Sequence, residues 1–353
     1  MRKTRIFLLS FVMFSFFLIA NLWITSGFAE DTKKVAANKE RIIQTVRFLS
    51  EENFPRSVSP ENKEKTIDFI VKSMADAGFE ATRGEFAIKQ MLCDSDFPSA
   101  SDQNGNSHDT IAIELHRSAF TNIHALKKGK TDKRIVIAAH YDAMPNSPAA
   151  DDNASGVAAL IELAHLLKET DELNCNVELV SYDAEEIGLQ GSRYHARKLK
   201  SQNVDVVCMI SMDLIGYYSD AENSQDYPFD ALRLLYGTKG DYLGMVGRPE
   251  DAELISNAKK AFQQATTLRF EAIAAPKGLE RLLSRSDHFS FWQEGYPALF
   301  FSDTGEFRNK NYHASTDTWD TLDYDRLAQV PVGVYQLIMM IDAANAPEST
   351  PEQ

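Results

Sequence analysis

The sequence predicts one α/β domain organised around a mostly parallel sheet. Two observations carry that reading. Short apolar runs at 135–139, 177–180, 206–210 and 298–301 alternate with helical patterns at about 156–168, 191–200 and 250–265. Short apolar runs of strand length mark strands covered on both faces, as in parallel sheets. In addition, no internal repeat or low-complexity linker divides the chain, so a single domain is the economical reading.

At the N-terminus, Arg2, Lys3 and Arg5 precede an apolar run at 6–24, and Gly27-Phe28-Ala29 follows with small residues at both ends. That is the build of a secretory signal at 1–29, cut after Ala29. The run approaches the ~20 residues that span a bilayer, so an uncleaved anchor is the alternative, although Ser10, Ser15 and Asn21 interrupt it. Either form sends the remainder, a domain at 30–347 and a tail at 348–353, to the periplasm or the extracellular space. No second apolar stretch of spanning length is expected in the 324 residues that follow.

A first helix is expected within 36–49, where Ile42, Ile43, Val46 and Leu49 share a face. Ser59 as N-cap and Pro60 at the first position open a second helix, which Gly78 closes. Its apolar positions Ile67, Ile70, Val71 and Met74 keep helical spacing. Residues 91–109 are polar and read as a surface loop. The stretch 217–245, rich in Tyr, Asp and Gly, reads as loops or a hairpin. Val334, Leu337, Ile338 and Ile341 define a last helix, with Pro331 in or near its first turn.

Composition narrows the partners. Residues 1–29 hold three of the 37 basic residues and no acidic one, so the rest carries 34 basic against 51 acidic residues, a net −17. Such a surface disfavours nucleic acid and anionic membrane as partners. Three cysteines, Cys93, Cys175 and Cys208, make neither a disulfide scaffold nor a cysteine zinc cluster. Cys208 sits in an apolar run and reads as a buried thiol, whereas a Cys93–Cys175 pair stays open.

Each predicted strand delivers polar residues at its carboxyl end, where open parallel sheets bind ligands. The first runs into His140-Tyr141-Asp142, the second into Asp183-Ala184-Glu185-Glu186, the third into Ser211-Met212-Asp213. A loop, Asp151-Asp152-Asn153-Ala154-Ser155-Gly156, opens the helix whose Val157, Leu160, Ile161, Ala164 and Leu167 face the core. A lone His-x-Asp is more often structural than metallic, and Glu-Glu after a strand is commonly a solvated turn. Converging on one edge, they are the imidazole nitrogens and carboxylate oxygens from which zinc sites are made.

These motifs, with Gly188-Leu189-Gln190-Gly191-Ser192 and Tyr312-His313, resemble the co-catalytic dizinc aminopeptidases, a family of secreted bacterial leucyl aminopeptidases more distantly related to glutamate carboxypeptidase and glutaminyl cyclase. The resemblance runs from about residue 35 to 345 and implies a twisted, mostly parallel sheet flanked by helices on both faces. It implies two Zn²⁺ per chain, one held by His140, Asp152 and Asp213, the other by Asp152, Glu186 and His313. Alignment on Ala154-Ser155-Gly156 selects Asp152 over Asp151 as the shared ligand. By the same resemblance a metal-bridging hydroxide attacks the peptide carbonyl, Glu185 is the general base, and Asp142 orients the His140 imidazole. The three carboxylates and the hydroxide would balance the two cations. Arg285 and Tyr312 match positions that hold the substrate or its tetrahedral intermediate; a surface ion pair and a packed ring are the plainer readings.

His288 reads as a structural hydrogen-bonder, and His108, His116, His124, His165 and His195 as ordinary surface or core residues. Tyr217, Tyr218, Phe289, Phe291 and Trp292 are candidates for a side-chain pocket, with core packing the plainer reading. The expected activity is removal of N-terminal amino acids from peptides. Asp213, Asp151, Glu185 and the net charge suit a free α-amine, whereas a C-terminal carboxylate would want arginines and only Arg285 is in place. A carboxypeptidase or dipeptidase on the same metals is the nearest rival. A glutaminyl cyclase works with one zinc and lacks the Asp-Asn-Ala-Ser-Gly run. A non-catalytic binding ectodomain would have lost ligand residues, and all five candidates and the base are present. The oligomeric state is not legible.

Overall fold

A computed structural model describes residues 35–87, 119–275 and 283–347. The expected signal, the loop at 91–109, Cys93, His108, His116 and the tail at 348–353 lie outside these residues. The described residues from Ala36 onward form one compact unit.

Local chemistry sets the helix starts. Helix α1 (Lys39–Arg47) begins where the Asn38 side chain accepts from the Arg41 amide at 3.1 Å. Helix α2 (Pro60–Asp76) begins at Ser59, whose hydroxyl accepts from the Asn62 amide, and ends before Gly78, which adopts φ +83°. Both follow the sequence expectation.

Eight strands form one sheet: β1 (Ala81–Ala87), β2 (Ala119–Lys127), β3 (Arg134–His140), β4 (Asn176–Tyr182), β5 (Val206–Met212), β6 (Tyr242–Gly247), β7 (Arg269–Ala274) and β8 (Ala298–Ser302). Their order is β1-β2-β4-β3-β5-β8-β6-β7. The central β4, β3, β5 and β8 are parallel, as are β6 and β7, while β1–β2, β2–β4 and β6–β8 pair antiparallel.

The apolar runs are explained by two-sided burial. Ile135, Ile137 and Ala139 join one core with α1, α2, α3 (Gly156–Lys168), α6 (Ala252–Ala265) and the last helix, α9 (Gln329–Ala344). Val136 and Ala138 face the opposite side, where Ala196 and Leu199 of α4 (Gln190–Ser201) and Phe291 and Trp292 of α7 (His288–Gln293) cover them. Register then positions the site. His140 pairs with Tyr182, which makes the carboxyl ends of β3 and β4 level. Ala138 pairs with Ser211, so the same register carried on sets Asp213 level with His140. Because β4 and β5 lie on opposite sides of β3, His140 stands where the winding of the sheet reverses.

Two expectations are corrected. Residues 217–245 are not loops or a hairpin alone: they include α5 (Asp230–Tyr236) and the start of β6, with an isolated antiparallel bridge between Ser219 and Gly240. A second stretch long and apolar enough to span a membrane does exist, Tyr324–Ala344, at mean hydropathy 1.4. It consists of α8 (Tyr324–Leu327) and α9, and α9 packs on α3 and α6 with Val330, Val334, Leu337 and Ile338 fully buried. A core helix enclosed by neighbours is apolar for that reason. Cys175 and Cys208 are both buried thiols.

Candidate active site

The residues singled out at the strand ends come together. His140 Nε2 lies 3.3 Å from Asp152 Oδ1 and 3.2 Å from Asp213 Oδ1. His313 Nε2 lies 3.1 Å from Asp152 Oδ2 and 3.2 Å from Glu186 Oε2. Asp152 thus turns one oxygen to each histidine. Asp151 is turned away: its Oδ1 accepts from the Gly216 amide at 2.9 Å and its Oδ2 from Asn309 Nδ2 at 2.8 Å. Glu185 stands beside this group, with one donor atom each of His140, Glu185 and Asp213 within 4.8 Å of one another.

Asp142 ties two strand ends together. Its Oδ1 lies 3.4 Å from His140 Nδ1, without a formed hydrogen bond, and its two oxygens accept from the Glu185 and Glu186 amides at 3.1 Å each. The loop carrying Asp152 is braced as closely. Asn153 donates to the Met212 carbonyl at 2.9 Å and accepts from the Gly156 amide at 3.0 Å. A Cβ on Gly156 would stand 2.5 Å from that same Met212 oxygen, so only glycine allows α3 to start so close to β5. Asp317 accepts from the amides of Asp151 and Asp152.

Sequence reasoning missed Arg56. Its guanidinium is buried and donates to the carbonyls of Tyr141 at 2.7 Å, Pro148 at 2.8 Å and Ala149 at 3.1 Å, under the loop that bears Asp152. Nothing in Pro55-Arg56-Ser57 distinguishes it from a surface turn. Replacing Arg56 by Met leaves those carbonyls unpaired and removes a cation from a negative region. We expect a loss of about 3–5 kcal/mol in urea unfolding. An unchanged midpoint and slope would show that the brace is dispensable.

The electrostatics call for positive charge. Burial pushes the Glu185 carboxyl well above the usual range, with Asp213 and Glu186 adding to it. Glu186 is pushed up to about 7, first by burial and then by Asp152. Against burial, Asp213 and Glu185 hold His140 well above the ordinary imidazole value, and Asp152 and Glu186 raise His313 to about 10. Asp152 is held below its usual range by both histidines, despite its burial. Protons on the imidazoles supply what the carboxylates demand, and a divalent cation bound to neutral imidazoles would supply it instead. The donor set fits one. Donors 3.1–3.3 Å apart suit a four-coordinate cation with bonds of roughly 2.0–2.1 Å. His140 Nδ1 and Glu186 Oε1 are buried without a hydrogen-bond partner among the described residues.

A second grouping, His124, Glu178 and His195, does not invite a cation in this way. Glu178 Oε1 is 2.9 Å from His124 Nδ1, its Oε2 accepts from Arg134 at 2.8 Å, and Tyr182 Oη is 2.8 Å from His195 Nδ1. Charge and hydrogen bonds are already met there. His288 is likewise structural, its Nε2 donating to the Leu283 carbonyl at 2.7 Å between Trp292 and Phe300.

A cavity of about 360 Å³ opens on Asp152, Glu185, Glu186 and Asp213. Its apolar wall includes Leu232, Met245, Val246, Ile273 and Phe300. Tyr217, Tyr218, Phe289, Phe291 and Trp292 do not line it; Phe291 and Trp292 belong to the core under α7, and Tyr218 is buried with its hydroxyl on the Ile215 carbonyl. The pocket is walled from β6, β7 and β8, whose first two members the sequence reading did not identify. Arg285 and Tyr312 do line it. Arg285 forms an ion pair with Glu306 and lies 3.4 Å from Tyr312 Oη, and the Tyr312 ring stacks on His313.

Comparison with known proteins agrees with this architecture. A family model described as peptidase family M28 matches residues 122–338. The Escherichia coli K12 protein YfbL is 34% identical over 301 residues, covering 80% of this chain and 89% of that protein. Leucine aminopeptidase 1 of Ajellomyces capsulatus strain G186AR is 28% identical over 219 residues, 57% of this chain, which spans about half (51%) of that relative. Two solved structures share the fold. A zinc aminopeptidase from Bacillus subtilis superposes with a TM-score of 0.63 at 18% identity, over 88% of this chain and 96% of that one. A glutaminyl cyclase from Porphyromonas gingivalis gives 0.58 at 16% identity, over 86% and 99%.

Proposed function

The chain belongs to peptidase family M28, and on that premise we propose that it is a zinc-dependent aminopeptidase that removes N-terminal residues from peptides. The observation that carries the reading is the division of Asp152 between His140 and His313, with Asp213 and Glu186 completing the two sides. His140, Asp152 and Asp213 would hold one Zn²⁺, and Asp152, Glu186 and His313 the other. Zinc there supplies a Lewis acid for the scissile carbonyl and lowers the pKa of water. The Glu185 carboxylate accepts a proton from the attacking water and returns it to the leaving amine nitrogen. Asp142 holds the backbone of Glu185 and Glu186 in place for that transfer. Tyr312 and Arg285, at the cavity wall, are positioned to hold the substrate's carbonyl side. The sequence signal at 1–29 supports export, so we assign the enzyme to the periplasm or the extracellular space.

Charge supports the amine end of the peptide. The cavity is lined by Asp226, Glu271 and Glu306 besides the candidate ligands and base, all acidic. Among the described lining residues Arg285 is the only cation apart from His313, and Glu306 neutralises it. A terminal carboxylate would find repulsion there, whereas an ammonium group is attracted. Aminoacyl-anilides with apolar side chains are the probes. Hydrolysis of the free-amine forms, abolished by N-acetylation, is the expected result. Cleavage of N-blocked peptides from the C-terminus, with free-amine anilides untouched, would reassign the enzyme as a carboxypeptidase. Cyclisation of N-terminal glutamine without peptide hydrolysis would reassign it as a cyclase.

A further inference from the structure

The candidate ligands are not held equally firmly. His140 ends β3, and Asp213 follows β5 in register with it. Glu186 has its amide fixed on Asp142. His313 sits at φ 56° in a run of turns between Asn309 and Thr318 that contains neither helix nor strand, and a third of its side chain is exposed. Two side-chain bridges and one backbone hydrogen bond pin that run to the Asp152 loop. Asn309 donates to Asp151, and Asp317, fully buried, accepts from the Asp151 amide at 3.0 Å and the Asp152 amide at 3.2 Å. The Asp317 carbonyl also accepts from the Ala150 amide at 3.1 Å.

We propose that Asp317 is a positioning residue for one of the two cation positions, fixing the His313 segment against the Asp152 loop so that His313, Asp152 and Glu186 converge. The inference rests on the zinc reading above and goes beyond it in assigning the two positions different supports. One takes His140 and Asp213 from sheet register and shares only Asp152 with the other. The other depends on a carboxylate that touches no metal and holds two backbone amides. A carboxylate is suited to this, because it accepts from both amides at once, whereas an asparagine oxygen can serve one well and turns an NH₂ group toward the other. Loss of such outer support typically weakens metal affinity 10- to 100-fold.

The test is calorimetric zinc titration of the metal-stripped full chain, comparing wild type with Asp317→Asn, His313→Ala and the double variant. The expected Asp317→Asn isotherm keeps one ion at wild-type affinity and weakens the other 10- to 100-fold. In the double variant, adding Asp317→Asn to His313→Ala should cost little further, since both act on one position. Wild-type affinity for both ions in Asp317→Asn, or equal weakening of both, would overturn the proposal. Failure of wild type to bind zinc at all would instead overturn the zinc reading. Should Asp317→Asn not fold, hydrogen exchange on the zinc-loaded wild type decides: the Asp151 and Asp152 amides should be strongly protected, and rapid exchange at both would refute the bond to Asp317.

Discussion

Glu185→Gln is expected to lower kcat by ~10²–10⁴ while zinc content and the unfolding midpoint stay at wild-type values. The substitution keeps the shape of a nearly buried side chain and removes only its capacity to take a proton. Its backbone stays anchored, because the amide donates to Asp142 whatever the side chain carries. The chief rival is that Glu185 is itself a ligand, since its carboxylate lies as near His140 and Asp213 as a ligand would. Glu186→Gln separates the two. That carboxylate sits 3.2 Å from His313 Nε2, so its loss should weaken one zinc ion. Measured metal content decides between them: zinc lost from Glu185→Gln and kept by Glu186→Gln would reverse the two roles.

What the sequence made legible follows from where burial writes an unambiguous pattern. The four central parallel strands are covered on both faces, so they appear as apolar runs, broken only by Glu178 in β4, and the polar residues that follow those runs form the candidate site. β1, β2, β6 and β7 carry no such signature. β1 reads Ala-Thr-Arg-Gly-Glu-Phe-Ala, with only Phe86 buried, and among the described strands it pairs with β2 alone. β7 is another edge strand without a fully buried side chain. The pocket was misplaced for the same reason: its walls lie on those unrecognised strands, while the aromatics of α7 went to the core. Arg56 and Asp317 escaped notice because their role is to hold backbone groups of distant loops. A buried aspartate that clamps two amides has the same one-letter context as a solvated turn, and only the fold shows what it faces.

Removal of zinc should produce the largest effect of all, and Asp152→Asn should reproduce it. Asp142, Asp152, Glu185, Glu186 and Asp213 are all poorly exposed within one small region, and the described cation beneath them is the single guanidinium of Arg56. Carboxylates in that number stay ionised in a dry site only against matching positive charge. A chelator is therefore expected to abolish peptidase activity and to lower the melting temperature by several degrees. An ion present at a thousand times its Kd contributes about 4 kcal/mol to the folded state. Asp152 differs from the other ligand candidates because each of its oxygens faces a different histidine. Asp213→Asn or Glu186→Gln should reduce bound zinc from two ions per chain toward one. Asp152→Asn should weaken both and leave activity at background. Elemental analysis and thermal melts with and without added zinc read both quantities. An Asp152→Asn enzyme that held two zinc ions and turned over substrate would dismantle the shared-carboxylate site, and a fully active wild type with one ion per chain would confine the chemistry to a single metal.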